Sequence, residues 1–355
     1  MQKEIVKKEL IEKIDALMKE ARKNTAIYIN HALLLTYLEI GRAIFEENQL
    51  HSNAEGYEQK SIRYISKVMT TKYGKGFSRL NISNMVNFYR KYGGRTLSSH
   101  LGWSHYCELI SIQDDSKRQF YEKECSNSRW SVRELRRQID SSLFERVLLS
   151  KKKIDDLQIM KLSENGNELF EPQDVLKDPF VLDFIDIPEP KTLLESDLEA
   201  ALVRQIEKFM LELGKGFMFV GTQQRVTFNN VHYYADMVFY NKILKSYVLI
   251  ELKSSKFIPQ AVGQLNMYLN YYAAEVNDEG DNPPIGIILC TDKGNADMQY
   301  ALGGLSNNIF AAKYVTNMPK KEDLIAQVEM VTNKKHWQKV FANAFLCCYY
   351  IRACL

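Results

Sequence analysis

The chain has 355 residues, enough for two domains, and its 45% hydrophobic and 26% charged residues are those of a globular protein able to bury real cores. It has no run of 18 or more apolar residues, which argues against a membrane span. The formal net charge of +3 is unevenly spread: residues 1–150 hold 25 Lys and Arg against 18 Asp and Glu, and the remainder 22 against 26.

The N-terminus, MQKEIVKKELIEKIDALMKE, alternates charged and apolar residues at helical spacing and lacks the apolar core of a signal peptide, so a cytoplasmic protein is expected. Residues 1–50 read as helices; in INHALLLTYLEIGRAIFEE apolar residues recur at three and four, with Gly41 expected to interrupt the pattern. A loop around HSNAEGYEQ is followed by a helical stretch, SIRYISKVMTTKYG. Then GKGFSRLNISNMVNFYRKYGG reads as a turn and a helix capped by Ser78. Helix, glycine-containing turn and basic helix is also the loose outline of a helix-turn-helix.

From Gln59 to Cys107 there is no acidic residue, while Lys60, Arg63, Lys67, Lys72, Lys75, Arg79, Arg90 and Lys91 fall in that interval. An acid-free basic stretch suits a polyanion-binding surface, because each phosphate contact releases counterions and a nearby carboxylate would oppose it. A solvated helix face balanced by acids elsewhere in the fold would carry the same residues. Further on, Ser131 and Glu134 form an S-x-x-E capping box, which predicts a helix over SVRELRRQIDSSLFERV. Trp103 and His105, in GWSH, read as packed core residues, as do Trp130 and Trp337. The six cysteines include no C-x-x-C pair. Cys107, Cys125 and Cys290 stand alone, and Cys347, Cys348 and Cys354 lie in an apolar run, so neither zinc ligation nor a disulfide framework is expected.

The expected organisation is a helical, basic domain over 1–150, a connection over 151–190 rich in proline and partly structured at KDPFVLDFI, a mixed α/β domain over 191–330, and an apolar tail over 331–355. In the third part, LLESDLEAALVRQIEKFMLELGKG is an amphipathic helix ending in glycine. FMFVGTQQRVTF and VHYYADMVFYNK are strands joined by Asn229-Asn230, a hairpin signal. SYVLIELKSSKF adds a strand, Pro259 opens the helix QAVGQLNMYLNYYAAEV, and PPIGIILCTDK, ADMQYALGG and NIFAAKYV supply strand, helix and strand. This is a mixed sheet with helices packed on it.

The strand VLIELK ends by placing Glu251 and Lys253 on one face. On the preceding strand Asp236 shares a face with Tyr234, Val238 and Tyr240; if the strands pair through the short KILK connection, Asp236 and Glu251 can approach each other. A buried carboxylate pair is unfavourable unless a cation or proton neutralises it, and Lys253 supplies only one positive charge. A hard divalent ion such as Mg²⁺ would complete the balance, bind a scissile phosphate and leave the lysine to orient or deprotonate water. The alternative is an ordinary strand end with a surface ion pair.

Asp236, fourteen residues, then Glu251-Leu252-Lys253 resembles the D-x(n)-(D/E)-x-K signature of the PD-(D/E)XK nuclease superfamily, and Gln264-x-x-x-Tyr268 is similar to the extra motif of its RecB-like branch. More narrowly, YYADMVFYNKILKSYVLIELKSSKFIPQAVGQLNMYLN resembles the YhcG family of nucleases, as do TYLEIGRAI, KGFSRLNISNMVNFYRKY, LGWSHYCELI and RWSVRELRRQI in the first half. The likeness spans roughly residues 20–330. It implies an α+β chain with a helical domain followed by a restriction-endonuclease-like α/β domain. It also implies Asp236, Glu251 and the Leu252 carbonyl as ligands of Mg²⁺, with Mn²⁺ as a substitute, Lys253 as the water-positioning or activating group, and Gln264 as an auxiliary residue. The superfamily's helical acid falls on Glu199, with Glu195 and Glu207 as alternatives, and Ala235 stands where the proline of the "PD" pair would be.

The expected activity is metal-dependent endonucleolytic cleavage of DNA, in recombination, repair or defence against foreign DNA, by a homo-oligomer such as a dimer. RNA as substrate, and a non-catalytic DNA-binding protein retaining the fold, are the alternatives.

Overall fold

In the computed structural model the described residues are 2–51, 56–151, 154–185, 194–293, 301–302 and 308–331. The tail expected over 331–355 lies almost wholly outside them, as do Trp337, Cys347, Cys348, Cys354 and most of ADMQYALGG. The chain divides into two compact units, residues 1–136 and 137–355.

The first unit is helical. Helix α1 (Gln2–Leu50) is a single continuous helix, so Gly41 does not break it. A side chain at Gly41 would put its Cβ 2.0 Å from the main-chain oxygen of Met85, so glycine is needed there for α1 to approach α3 (Arg79–Tyr92). Between them in sequence runs α2 (Tyr57–Tyr73), and α3 starts at Ser78, whose hydroxyl accepts from the Asn81 amide. Helix α3 buries Ile82, Met85, Val86, Phe88 and Tyr92, and α4 (Trp103–Ile110) brings Tyr106 and Trp103 against Phe88. Trp103 also donates to Asn81 at 2.7 Å. His105 is likewise held from both sides: Nδ1 accepts from the Gly102 amide and Nε2 meets the Trp130 carbonyl at 3.0 Å. Helix α3 thus turns one side into the core of this unit and leaves Arg79, Leu80 and Arg90 exposed. Helix α5 (Asp115–Ser128) follows. Ser131 then accepts from the Glu134 amide at the start of α6 (Val132–Asp140), within which the division between the units falls.

The second unit begins with the rest of α6, α7 (Leu143–Ser150) and α8 (Asp156–Asn165). Arg146 on α7 and Glu212 are both fully buried and pair at 2.5 Å, with Arg137 on the other Glu212 oxygen and the Val181 amide sharing the first. Burying two charges demands such complete pairing, and it ties these helices to Glu212 and to the Val181 strand.

The sheet has six strands in the order β1-β6-β5-β4-β3-β2. They are β1 (Phe180–Val181), β2 (Phe217–Phe228), β3 (Val231–Asn241), β4 (Ser246–Leu252), β5 (Ile285–Cys290) and β6 (Asn308–Val315). Strands β2, β3 and β4 form an antiparallel meander; β4, β5, β6 and β1 run parallel. The β2–β3 turn holds Asn229 and Asn230 at φ 47° and 66°, the left-handed pair a two-residue hairpin requires. One face of the sheet packs Met237, Ile250 and Ile287 on α9 (Glu195–Arg204) and α10 (Ile206–Leu213); the other packs Val238, Leu249 and Ile288 on α11 (Pro259–Tyr271). The helix expected over 193–213 is thus two, parted where Gln205 leaves helical geometry at φ −116° and ψ 30°.

Candidate active site

Antiparallel register builds the site. Strand β3 pairs with β4 as far as Met237 opposite Ile250, so the next step sets Asp236 opposite Glu251. Strand β2 pairs with β3 with Thr222 opposite Met237 and Gln224 opposite Ala235, which sets Gln223 opposite Asp236 on its other side. Gln223 has φ 46°, a left-handed value uncommon for a residue with a side chain, and such strain is held where the surroundings enforce it.

Glu251 is 2% exposed, and its Oε2 is buried without a partner among the described residues. Its other oxygen accepts from Lys253 Nζ at 3.1 Å, and Lys253 also donates to Glu195 at 3.0 Å from the first turn of α9. One oxygen of Asp236 accepts from the Leu252 amide at 2.8 Å. The Gln223 amide donates to Glu199 at 2.6 Å and, more weakly, to the second Asp236 oxygen at 3.4 Å. Glu195 and Glu199, one turn apart on α9, therefore both reach the site, the first through Lys253 and the second through Gln223. Glu207 lies beyond the break, on α10. Gln264 donates to buried Tyr268 at 2.7 Å, and Tyr268 in turn feels the charges of Glu251 and Asp236.

Burial, then the charge of Asp236, pushes the Glu251 carboxyl up to about 7, against the opposing pull of Lys253. Burial raises Asp236 as well, opposed by the Leu252 amide, and raises Glu199, opposed by Gln223. At Lys253 burial acts downward, but Glu251 and Glu195 outweigh it and the pKa ends above the usual lysine value. The ammonium is therefore a donor.

Among the described residues no three His, Cys, Asp or Glu side chains form a ready metal cluster. The donor set nonetheless fits a hard cation: two facing carboxylates, oxygen only, with one buried oxygen unpartnered. Mg²⁺ needs no more than one or two carboxylates, since it retains waters. Asp236 and Glu251 would hold it.

The sequence profile of the YhcG PDDEXK nuclease domain matches residues 173–329, and that of the DUF1016 N-terminal domain matches residues 13–146. The chain is 34% identical over 341 residues to "Putative nuclease YhcG" of Escherichia coli (strain K12), covering 87% of this chain and 90% of that protein. This chain belongs to the YhcG family. As a YhcG-family chain it pairs a helical N-terminal region with a PDDEXK-type mixed α/β domain, and the group described above sits in the latter. No solved structure matches the chain.

The sequence reading missed Gln223. A signal was present: counting back from the Asn229-Asn230 turn, with Phe228 opposite Val231, pairs Gln223 with Asp236. Of the basic residues, Lys60, Arg63 and Lys67 line an exposed face of α2, and Lys72, Lys75 and Arg79 are exposed around the α2–α3 turn. Arg90 and Lys91 have internal partners. Arg90 pairs with Glu58 and lies over the Phe45 ring, and Lys91 donates to the Ile112 carbonyl. No helix of the described residues is long and apolar enough to cross a membrane.

Proposed function

We propose that this protein is a divalent-metal-dependent endonuclease that hydrolyses phosphodiester bonds in DNA. The observation that carries the reading is the facing pair Asp236 and Glu251, with a buried Glu251 oxygen left unpartnered and Lys253 held beside it. Asp236, Glu251 and the Leu252 carbonyl would hold the ion. When bound, such an ion neutralises the pair and stabilises negative charge on a scissile phosphate.

The chain's own residues do the rest. Lys253, anchored by Glu251 and Glu195, presents an ammonium that positions the attacking water and offsets charge on the phosphate. Its raised pKa favours this role over that of a general base. Gln223 fixes the outer oxygen of Asp236 and ties it to Glu199, keeping two like charges in one arrangement. Gln264 and Tyr268 back the site from α11. The exposed basic face of α2, with Lys60, Arg63 and Lys67, supplies contacts to the phosphate backbone from the helical unit. An activity of this kind would serve recombination, repair or defence against foreign DNA.

The test is nicking of supercoiled and branched DNA with Mg²⁺ or EDTA, with a labelled RNA alongside. Cleavage should require the metal, fall about 100-fold or more in Asp236→Ala, Glu251→Ala and Lys253→Ala, and survive in none of them while DNA binding persists. Metal-independent cutting, or cutting of RNA alone, would sink the reading.

A further inference from the structure

In the first half of α1, Lys8 to Ala26 stand exposed among the described residues. The second half of the helix packs on α3 through Gly41, Ile44 and Phe45, and buries Leu34. In the exposed half Leu10, Ile11, Ile14, Leu17 and Met18 are each more than half exposed. At 3.6 residues per turn these side chains fall on one stripe, extended by Ala21, Tyr28 and Leu35. That stripe points to the side opposite Leu34, Gly41 and Ile44, so it is not the margin of the unit's own core. It runs for about 40 Å at ~1.5 Å per residue. A helical segment exposed all round is marginal in water, and a continuous apolar face of this length marks an interaction site.

Charge chooses the occupant. One edge of the stripe carries Lys13 and Glu20, the other Arg22 and Asp15, which also pairs with Lys19 of its own helix at 2.6 Å. Each edge therefore complements itself when a second copy is laid antiparallel, with the two-fold axis near Leu17 and Met18. In that register Lys13 lies about 3 Å along the axis from the level of the other copy's Glu20, and Asp15 about 3 Å from that of its Arg22, within reach of these long side chains. The large Ile14 and Leu10 meet the small Ala21 and Thr25, as interdigitated packing requires. We infer that the exposed stripe of α1 is a self-association surface that pairs two copies of this chain antiparallel across a two-fold axis, an isologous contact.

The experiment is sedimentation equilibrium of the full chain over a range of concentrations, which reads mass and is independent of any nuclease activity. The wild type should be a dimer. Ile14→Glu with Leu17→Glu should give a monomer whose calorimetric transitions otherwise persist, because both side chains are more than half exposed. Lys13→Glu should raise the dissociation constant about tenfold, by replacing two attractive pairs with two repulsive ones. Adding Glu20→Lys should restore it, since the swapped pair is again complementary only in the antiparallel arrangement. A wild-type monomer would overturn the inference, whether it binds anionic vesicles through the stripe or dimerises once residues 332–355 are removed. So would a dimer indifferent to the double glutamate substitution, or one that the charge swap fails to restore.

Discussion

Replacing Glu251 by glutamine in the metal-free protein is expected to stabilise it at pH 8 and to change little at pH 5. In the folded chain the Glu251 carboxyl is pushed from its ordinary 4.5 up to about 7, first by burial and then by Asp236. The folded state thus holds this proton more tightly than the unfolded state does. The resulting stability is fully present below pH 4.5 and is lost as the pH rises through 7. At ~1.4 kcal/mol per pH unit, ionisation at pH 8 removes about 3 kcal/mol. Glutamine has the same shape and never ionises, and Lys253 keeps Glu195 at 3.0 Å as its partner. The variant should melt about 5–10 °C higher than wild type at pH 8, at ~2–4 °C per kcal/mol for a unit of this size. The assay is differential scanning calorimetry in EDTA at pH 5, 6.5 and 8, following the transition of residues 137–355. Mg²⁺ should recover the wild type at pH 8 and leave Glu251→Gln unmoved, because the ion needs the ionised oxygen. A variant that melts below wild type at pH 8 by the same margin as at pH 5 would refute the argument, since burial of the charge would then carry no penalty.

Three further outcomes follow from particular contacts. Gln223→Ala removes the amide between Glu199 and Asp236 and should weaken Mg²⁺ binding, read by calorimetric titration, about tenfold; Gln223→Glu, a further carboxylate in place of a donor, should be worse in turnover than the alanine. Converting Lys60, Arg63 and Lys67 together to glutamine should weaken DNA binding uniformly across sequences and lower the slope of log K against log salt by about 2–3, measured by fluorescence anisotropy. Gly41→Ala gains helix propensity of ~1 kcal/mol but drives a methyl into the Met85 carbonyl, so the transition of residues 1–136 should fall by about 2 kcal/mol net, read by denaturant titration.

What the sequence made legible was local. Ser131 with Glu134, Ser78, Pro259 and the Asn229-Asn230 turn each act within a few residues of their own backbone, and each stands where its chemistry requires. Strand parity is equally local, which is why the meeting of Asp236 with Glu251 can be read from two strands and a short connection. The same counting reaches Gln223 once the hairpin is fixed. Gly41 is the opposite case: it reads as a helix breaker by propensity, whereas its reason is a backbone on another helix, more than forty residues away in sequence. The basic run is legible only in part, because the partners of Arg90 and Lys91, which are Glu58, Phe45 and the Ile112 carbonyl, are brought together by no spacing rule.

The helical acid shows where local reading must stop. Glu195 and Glu199 stand on one helix face a turn apart, and sequence alone treats them as rivals for one role. In the fold they divide two roles, since Lys253 needs a second anion beyond Glu251 and Gln223 needs an acceptor beyond Asp236. Which acid meets which partner is set by how α9 lies across the sheet, a packing matter decided by Leu198, Ala201 and Leu202 on its buried side. The strands deliver the carboxylate pair by register, and the helix adds its acids by docking. Loosening α9 with Leu198→Ala should therefore release the Glu195 contact to Lys253 and the Glu199 contact to Gln223 together.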